Sequence, residues 1–231
     1  MKLSIIIPVF NEKKTIEEIL KRVISAPVFD FEKEILVVDD CSTDGTSEIL
    51  EKLKEKFKFL LLRHEKNLGK GAAIRTALNH ITGDIALIQD ADLEYDPKDY
   101  QKILKPILEG KTKVVYGSRN LNPENKPFSK IYNFGGRFLS IFFNLVFKTK
   151  LTDVMTCYKV FKKEVLSGLD LSENRFGFDS EISAKVVKKG FSILEVPISY
   201  RGRSFKEGKK IKLKDGLRSI YVILKCYFSK K

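Results

Sequence analysis

The sequence predicts an α/β fold: a Rossmann-like, mostly parallel sheet with helices on both faces, continued by a C-terminal helical extension. Three observations carry this. Short apolar or β-branched runs alternate with amphipathic stretches of helical period over the first 120 residues. Acidic residues appear where several of those runs end, as they do at the carboxyl edge of an open α/β sheet. After Arg119 the alternation gives way to longer, aromatic-rich stretches.

The elements follow in order. Lys2 to Pro8 is a strand and Lys13 to Ala26 a helix, apolar at Ile16, Ile19, Leu20, Val23 and Ile24. Ile35 to Val38 is the second strand; Asp39-Asp40-Cys41-Ser42-Thr43-Asp44-Gly45-Thr46 follows it and caps a helix over 47–57. Phe59 to Leu62 is the third strand, and Asn67-Leu68-Gly69-Lys70-Gly71 opens a helix to Leu78. The fourth strand, Ile85 to Ile88, stops at Asp90 and Asp92. A helix from Pro97 to Glu109 and a strand from Lys113 to Tyr116 complete the alternation, which predicts parallel strands joined by right-handed crossovers. Beyond it, Ile131 to Phe147 is a helix with Ile131, Phe134, Phe138, Ile141, Phe142 and Leu145 on one side and Arg137, Ser140, Asn144 and Lys148 on another. Tyr158 to Phe161 is a strand, Asp179 to Lys189 a helix, Ser192 to Val196 a strand, and Leu213 to Phe228 a terminal helix.

At 231 residues, 43% hydrophobic and 32% charged, the chain suits one sizeable soluble domain and excludes wholesale disorder. Cys41, Cys157 and Cys226 are odd in number, far apart and without metal-ligand spacing, which points to a reducing compartment. No signal-peptide pattern opens the chain, and no run approaches the roughly 20 apolar residues of a membrane span. The expectation is a cytoplasmic protein that at most lies on a membrane surface. The net charge of +13 is uneven: 125–152 holds five Lys or Arg and no acid, and 201–231 holds eleven against Glu207 and Asp215. Anion binding is therefore expected in the latter part of the chain.

Asp90 and Asp92, one residue apart at a strand end, can share one pocket, where their repulsion calls for a cation. Mg²⁺ or Mn²⁺ bound by one or two carboxylates plus substrate phosphates would meet that need. Taken alone, the pair is better read as capping the helix that begins near Pro97; the rest of the chain shifts the balance. Pro8-Val9-Phe10-Asn11-Glu12 and Asp39-Asp40, at two further strand ends, supply the other pieces of a nucleotide-sized site. Asp179 and Glu181 open a predicted helix, where either capping or a role in the site explains them. His64 and His80 lack partners at metal-ligand spacing and are expected to be structural or superficial.

In sequence order, IIIPVFNE (5–12), VVDDCSTDGT (37–46), NLGKGAAIRTAL (67–78), QDADLEYDP (89–97), YGSRN (116–120) and YRGRSFKEGKKI (200–211) resemble the glycosyltransferase family 2 enzymes of GT-A fold. The last three together resemble the dolichyl- or polyprenyl-phosphate branch. The resemblance implies one domain over 1–231, with a nucleotide-sugar-binding half (1–120) and an acceptor-binding half with interfacial helices (121–231). It implies Pro8, Phe10, Glu12 and Asp40 around the nucleoside, and Asp90 and Asp92 on a divalent metal and the donor diphosphate. Glu94 stands where this branch commonly has a Gln metal ligand. Arg119, with Arg137 and Ser140 of the long helix, would meet the acceptor phosphate, and Arg203 and Lys209 would clamp phosphates. The NLGKG run lacks the G-x-x-x-x-G-K-[ST] spacing of a phosphate loop. Lys70 is expected near the nucleotide and Arg75 facing solvent.

The activity implied is inverting, Mg²⁺- or Mn²⁺-dependent transfer of a sugar from a GDP- or UDP-sugar to a polyprenyl phosphate at the cytoplasmic face of a membrane. Many relatives carry further membrane helices, so a separate anchoring subunit is an expected partner. The rival is a family 2 transferase acting on a saccharide hydroxyl, with Asp179 as the base. A basic nucleic-acid-binding module explains the charge but leaves the strand-end carboxylates without a role, so no nucleic-acid partner is expected.

Overall fold

In the computed structural model, residues 1–126, 129–204 and 207–229 are described. Phe205 and Lys206 of the YRGRSFKEGKKI block, and Lys230 and Lys231 of the basic tail, lie outside them. Seven strands form one sheet: β1 (Lys2–Val9), β2 (Glu32–Asp39), β3 (Leu60–Arg63), β4 (Ile85–Ile88), β5 (Val114–Ser118), β6 (Lys159–Lys162) and β7 (Leu194–Pro197). Their spatial order is β3-β2-β1-β4-β6-β5-β7.

β1, β2 and β4 are apolar at nearly every position because both faces are covered. Side chains alternate between the two faces of a strand, so Ile5, Val37 and Leu87 enter one core layer, and Ile6, Leu36 and Ile88 the other. The first layer is closed by α1 (Ile16–Ser25), α2 (Thr46–Lys56) and α4 (Tyr100–Leu108); the second by α3 (Lys70–Leu78) and α7 (Phe178–Lys188). α5 (Lys130–Phe147) and α8 (Leu213–Phe228) pack with α7 around Phe143, Ala184, Val222 and Ile223 in a third cluster. The short helix α6 (Lys163–Leu166) follows β6.

The sheet is mostly parallel, as expected, with one exception in its middle. β6 runs antiparallel between β4 and β5, pairing Val160 with both Leu87 and Val115. Val160 and Phe161 enter opposite layers, so the four-residue strand fits between two neighbours buried on both faces. Its reversed direction brings the start of β6 to the edge where the other strands end. The Pro97 helix also begins differently: Pro97–Asp99 is a 3-10 turn, capped by Asp96 accepting from the Lys98 N–H, before α4 proper.

Gly69 and Gly71 answer to packing. A Cβ at Gly71 would lie 2.3 Å from the Glu173 carbonyl oxygen, and one at Gly69 2.5 Å from that of Asn174. The Ala72 N–H donates to that same Asn174 carbonyl, so the start of α3 is held by protein. Arg75, expected in solvent, instead donates to Leu171 O and Asn174 Oδ1 on this loop.

Candidate active site

The carboxyl ends of β1, β2, β4, β5 and β7, with the amino end of β6, surround a cavity of about 890 Å³. Three of the strand ends turn through left-handed backbone at non-glycine residues: Asn11 (φ 50°), Cys41 (φ 63°) and Leu93 (φ 62°). Each is adjacent to an expected site residue, and a bulky side chain such as that of Leu93 rarely adopts this conformation. The strained turns aim Glu12, Asp40, Asp92 and Glu94 where extended strands would not.

On the donor side, Pro8, Phe10, Glu12, Asp40, Lys70, Asp90 and Asp92 all line the cavity, as the sequence grouped them. Asp40 is buried and accepts from the Leu68 and Gly69 N–H groups (2.8 and 2.7 Å) and from His64 Nδ1 (2.7 Å), whose Nε2 faces Thr76. It therefore fixes the 67–69 loop, with His64 as a structural partner. Lys70 Nζ lies 2.5 Å from Asp90 Oδ1 and donates to Cys157 Sγ at 2.8 Å. Burial opposes the charge on Lys70, but Asp90, together with Cys157 and Asp179, holds the ammonium well above the usual lysine range. Burial also pushes the Cys157 thiol up, so the sulfur stays protonated.

Asp92 is pressed the other way. Burial, then the charges of Asp90 and Glu94, raise its carboxyl to about 7 despite Arg203 Nη2 at 2.9 Å. Arg203 is the hub of the site: Nη1 and Nη2 donate to the two oxygens of Glu12 (both 2.9 Å), Nη2 also reaches Asp92, and buried Nε has no hydrogen-bond partner among the described residues. Glu94 accepts from Tyr200 OH (2.8 Å), the Arg203 N–H (2.7 Å) and Lys209 Nζ (3.0 Å). Lys210 donates to Glu12 and to Phe10 O. Arg203, Lys209 and Lys210 are thus tied across the ends of β1 and β4 by ion pairs.

Arg119 lines the cavity with its charge already matched: Nε and Nη2 each donate to Asp153 at 2.7 Å, and the guanidinium lies 5.1 Å from the centre of the Tyr200 ring. Arg137 lines the mouth and donates to Asn120 Oδ1 at 3.3 Å. Ser140 is buried, donating to Gly136 O and accepting from the Val154 N–H; it joins α5 to the 151–156 loop and is not among the cavity-lining residues. Asp179 lines the cavity with Oδ1 held 2.5 Å from Nζ of Lys159, a lysine with no exposed surface. Glu181 accepts from Ser172, Glu173 and Lys185, away from the lining.

Asp153, Cys157, Lys159, Tyr200 and Lys210 escaped the sequence reading. The first four act through partners far along the chain, such as the 34-residue separation of Arg119 and Asp153. Lys210 was within reach, since it follows Lys209 in a recognised block.

Among the described residues, no three His, Cys, Asp or Glu side chains form a ready-made metal cage. A metal completed by substrate phosphates needs only one or two carboxylates. Burial first, then the neighbouring charges of Asp90 and Glu94, raise the Asp92 carboxyl; a divalent ion would offset that like-charge repulsion, so Asp90 and Asp92, together on the cavity lining, fit one. Both oxygens of Glu94 are already engaged by the 200–210 segment.

A sequence model of glycosyl transferase family 2 matches residues 4–169. The chain is 31% identical over 236 residues to the dolichol-phosphate mannosyltransferase of Pyrococcus furiosus, covering 97% of this chain but 64% of that protein. This chain therefore spans less than two thirds of that relative. Identity is 29% over 244 residues, covering 95% of this chain and 94% of the relative, with the UDP-N-acetylglucosamine–dolichyl-phosphate N-acetylglucosaminyltransferase of Methanococcus voltae. Glucosyl-3-phosphoglycerate synthase from Mycobacterium tuberculosis, solved with Mn²⁺, UDP and phosphoglyceric acid, superposes with a TM-score of 0.74 at 19% identity, over 100% of this chain and 80% of that one. At that identity the likeness is one of fold.

Proposed function

Because the chain belongs to glycosyl transferase family 2, we propose that it transfers a sugar from a nucleotide diphosphate sugar to the phosphate of a polyprenyl lipid at a membrane surface. The observation that carries this is the make-up of the cavity at the strand ends. It runs from the buried carboxylates at the ends of β1, β2 and β4 to apolar residues of α5 and α8, among them Ile131, Phe138, Leu213 and Leu217. One end suits a metal nucleotide; the other suits a hydrocarbon chain. The curated relatives, one named for dolichol phosphate and one for dolichyl phosphate, support the same acceptor class.

Pro8, Phe10 and the loop held by Asp40 would seat the nucleoside. Asp90 and Asp92 would hold Mg²⁺ or Mn²⁺, which when bound neutralises charge on the departing nucleotide diphosphate. Lys70 and Arg203 add fixed positive charge beside the same carboxylates. A phosphate acceptor is ionised near neutral pH, so its oxygen attacks without a strong base. Asp179, tied to Lys159, would then act as a fixed hydrogen-bond acceptor. Proton transfer to it would leave a buried lysine uncompensated, which disfavours the hydroxyl-acceptor reading.

Among the described residues no helix is long and apolar enough to cross a membrane. Phe134, Ile141 and Leu145 on α5 and Leu217, Tyr221 and Phe228 on α8 are nonetheless exposed. With the basic flanks they suit peripheral attachment to an anionic surface, and a separate anchoring subunit would be compatible with it.

Incubation with radiolabelled UDP- and GDP-sugars, polyprenyl phosphate and Mn²⁺ or Mg²⁺ tests the reading. Label in the lipid that disappears with EDTA is the expected result. Donor hydrolysis with no labelled lipid would reject the acceptor.

A further inference from the structure

Most cations lining the cavity already have a carboxylate. Lys70 is paired with Asp90, Arg119 with Asp153, Arg203 with Glu12 and Asp92, Lys209 with Glu94 and Lys210 with Glu12. Such pairs add little net charge with which to attract a further anion. Arg137 and Arg175 have no such carboxylate among the described residues, and Arg137 already donates to Asn120 Oδ1. Arg175 is exposed, lines the cavity, and among the described residues its side chain has neither an ion pair nor a hydrogen bond.

Its surroundings explain why it stays unpaired. Arg175 stands in the wall between the main cavity and a smaller hollow of about 420 Å³. The two carboxylates lining that hollow are engaged elsewhere: Glu173 accepts from Arg218 Nε and Nη2 (3.0 and 2.7 Å), and Asp215 accepts from the Lys212 N–H that opens α8. The stem of Arg175 is held against the donor-side loop, where a Cβ on Gly69 would fall 2.8 Å from its Cγ. The same wall meets the first turns of α8, whose Gly216, Leu217 and Ile220 line the cavity. A guanidinium with no ion pair among the described residues therefore stands where the polar donor end meets the apolar lining.

We propose that Arg175 binds the phosphate of the lipid acceptor. This rests on the acceptor class proposed above and adds a residue to it. The guanidinium fork matches two phosphate oxygens, and no internal ion pair has to break for the contact to form. Arg119, Arg203 and Lys209 must each share their charge with a protein carboxylate. A phosphate with a prenyl tail satisfies both sides of the position, with its oxygens on Arg175 and its hydrocarbon along α8.

The test uses the full chain, a short prenyl phosphate in detergent micelles and the labelled donor that wild type prefers. Arg175→Met should raise the acceptor KM about 10- to 100-fold and change kcat much less. UDP affinity in the presence of Mn²⁺, measured by calorimetry, should stay within about twofold of wild type, because the contact is with the acceptor. Arg175→Lys, which keeps the charge without the fork, should fall between. With no ion pair or hydrogen bond among the described residues to lose, Arg175→Met should melt with wild type. An unchanged acceptor KM, or a loss of UDP affinity equal to the loss in acceptor KM, overturns the assignment to Arg175 alone. Wild type that labels no prenyl phosphate overturns the acceptor class and this proposal with it.

Discussion

At the end of β4, Asp90 and Asp92 have opposite electrostatic fates although one residue separates them. At Asp90 burial is opposed by Lys70, Cys157 and Arg203, which together lower its carboxyl, whereas burial and two neighbouring charges raise Asp92 to about 7. A carboxyl whose folded value exceeds its unfolded one favours the folded chain below the unfolded value, and that stability is lost as pH rises through the folded value. Without metal, Asp92→Asn should therefore melt above wild type at pH 8 and close to it at pH 4, in thermal denaturation followed by circular dichroism. A divalent ion needs Asp92 deprotonated, so Mn²⁺–UDP affinity should rise about tenfold between pH 6 and pH 8 in wild type and stay flat in Asp92→Asn. Flat wild-type affinity would place the metal elsewhere. The aspartates themselves were legible, because an apolar run stops at them. Their partners were not: nothing in local sequence joins Asp92 to Arg203, 111 residues away.

Among the elements, α3 shows how a recognisable pattern can have another physical cause. Asn67-Leu68-Gly69-Lys70-Gly71 has the glycines, lysine and following helix of a phosphate loop, yet both glycines are required by the close approach of the 173–175 loop. Gly71→Ala should cost about 1–3 kcal/mol, read as a Tm several degrees lower, since its Cβ meets backbone that cannot swing aside. β6 was legible as a strand but not in direction: four residues buried on both faces read alike in parallel and antiparallel pairing. α5 and α8 were legible in length and apolar face, and their exposed residues offer a clean separation of folding from membrane attachment. Phe134 and Leu217 are 73% and 71% exposed, so Phe134→Ser with Leu217→Ser should leave thermal stability within a few degrees of wild type. The same variant should lose most of its flotation with anionic vesicles. Unaltered flotation would mean that this face does not meet lipid.

Over the whole molecule, the sheet order brings six strand termini to one edge, and part of the uneven charge noted in the sequence, Arg137, Arg203, Lys209, Lys210 and Lys212, lines the resulting cavity. The doubly covered sheet could be predicted because periodicity and strand-end acids agree on it. Most site residues could be grouped because ordered blocks recur in the family. The internal neutralisation of the site could not, since Arg119–Asp153, Lys159–Asp179 and Arg203–Glu12 are pairings that only the folded chain creates. They matter for function: a cavity with most of its cations already paired at rest must bind its second anion with those left over, and its aspartate beside a buried lysine is a poor base. The central claim is therefore the charge state of the acceptor. The most direct measurement offers one labelled donor to equal amounts of a prenyl phosphate, the corresponding prenol and a saccharide, and follows which becomes labelled. The account predicts label on the prenyl phosphate alone, in a bond released by mild acid, with one nucleotide diphosphate formed per sugar transferred. Label on the prenol or the saccharide would contradict it.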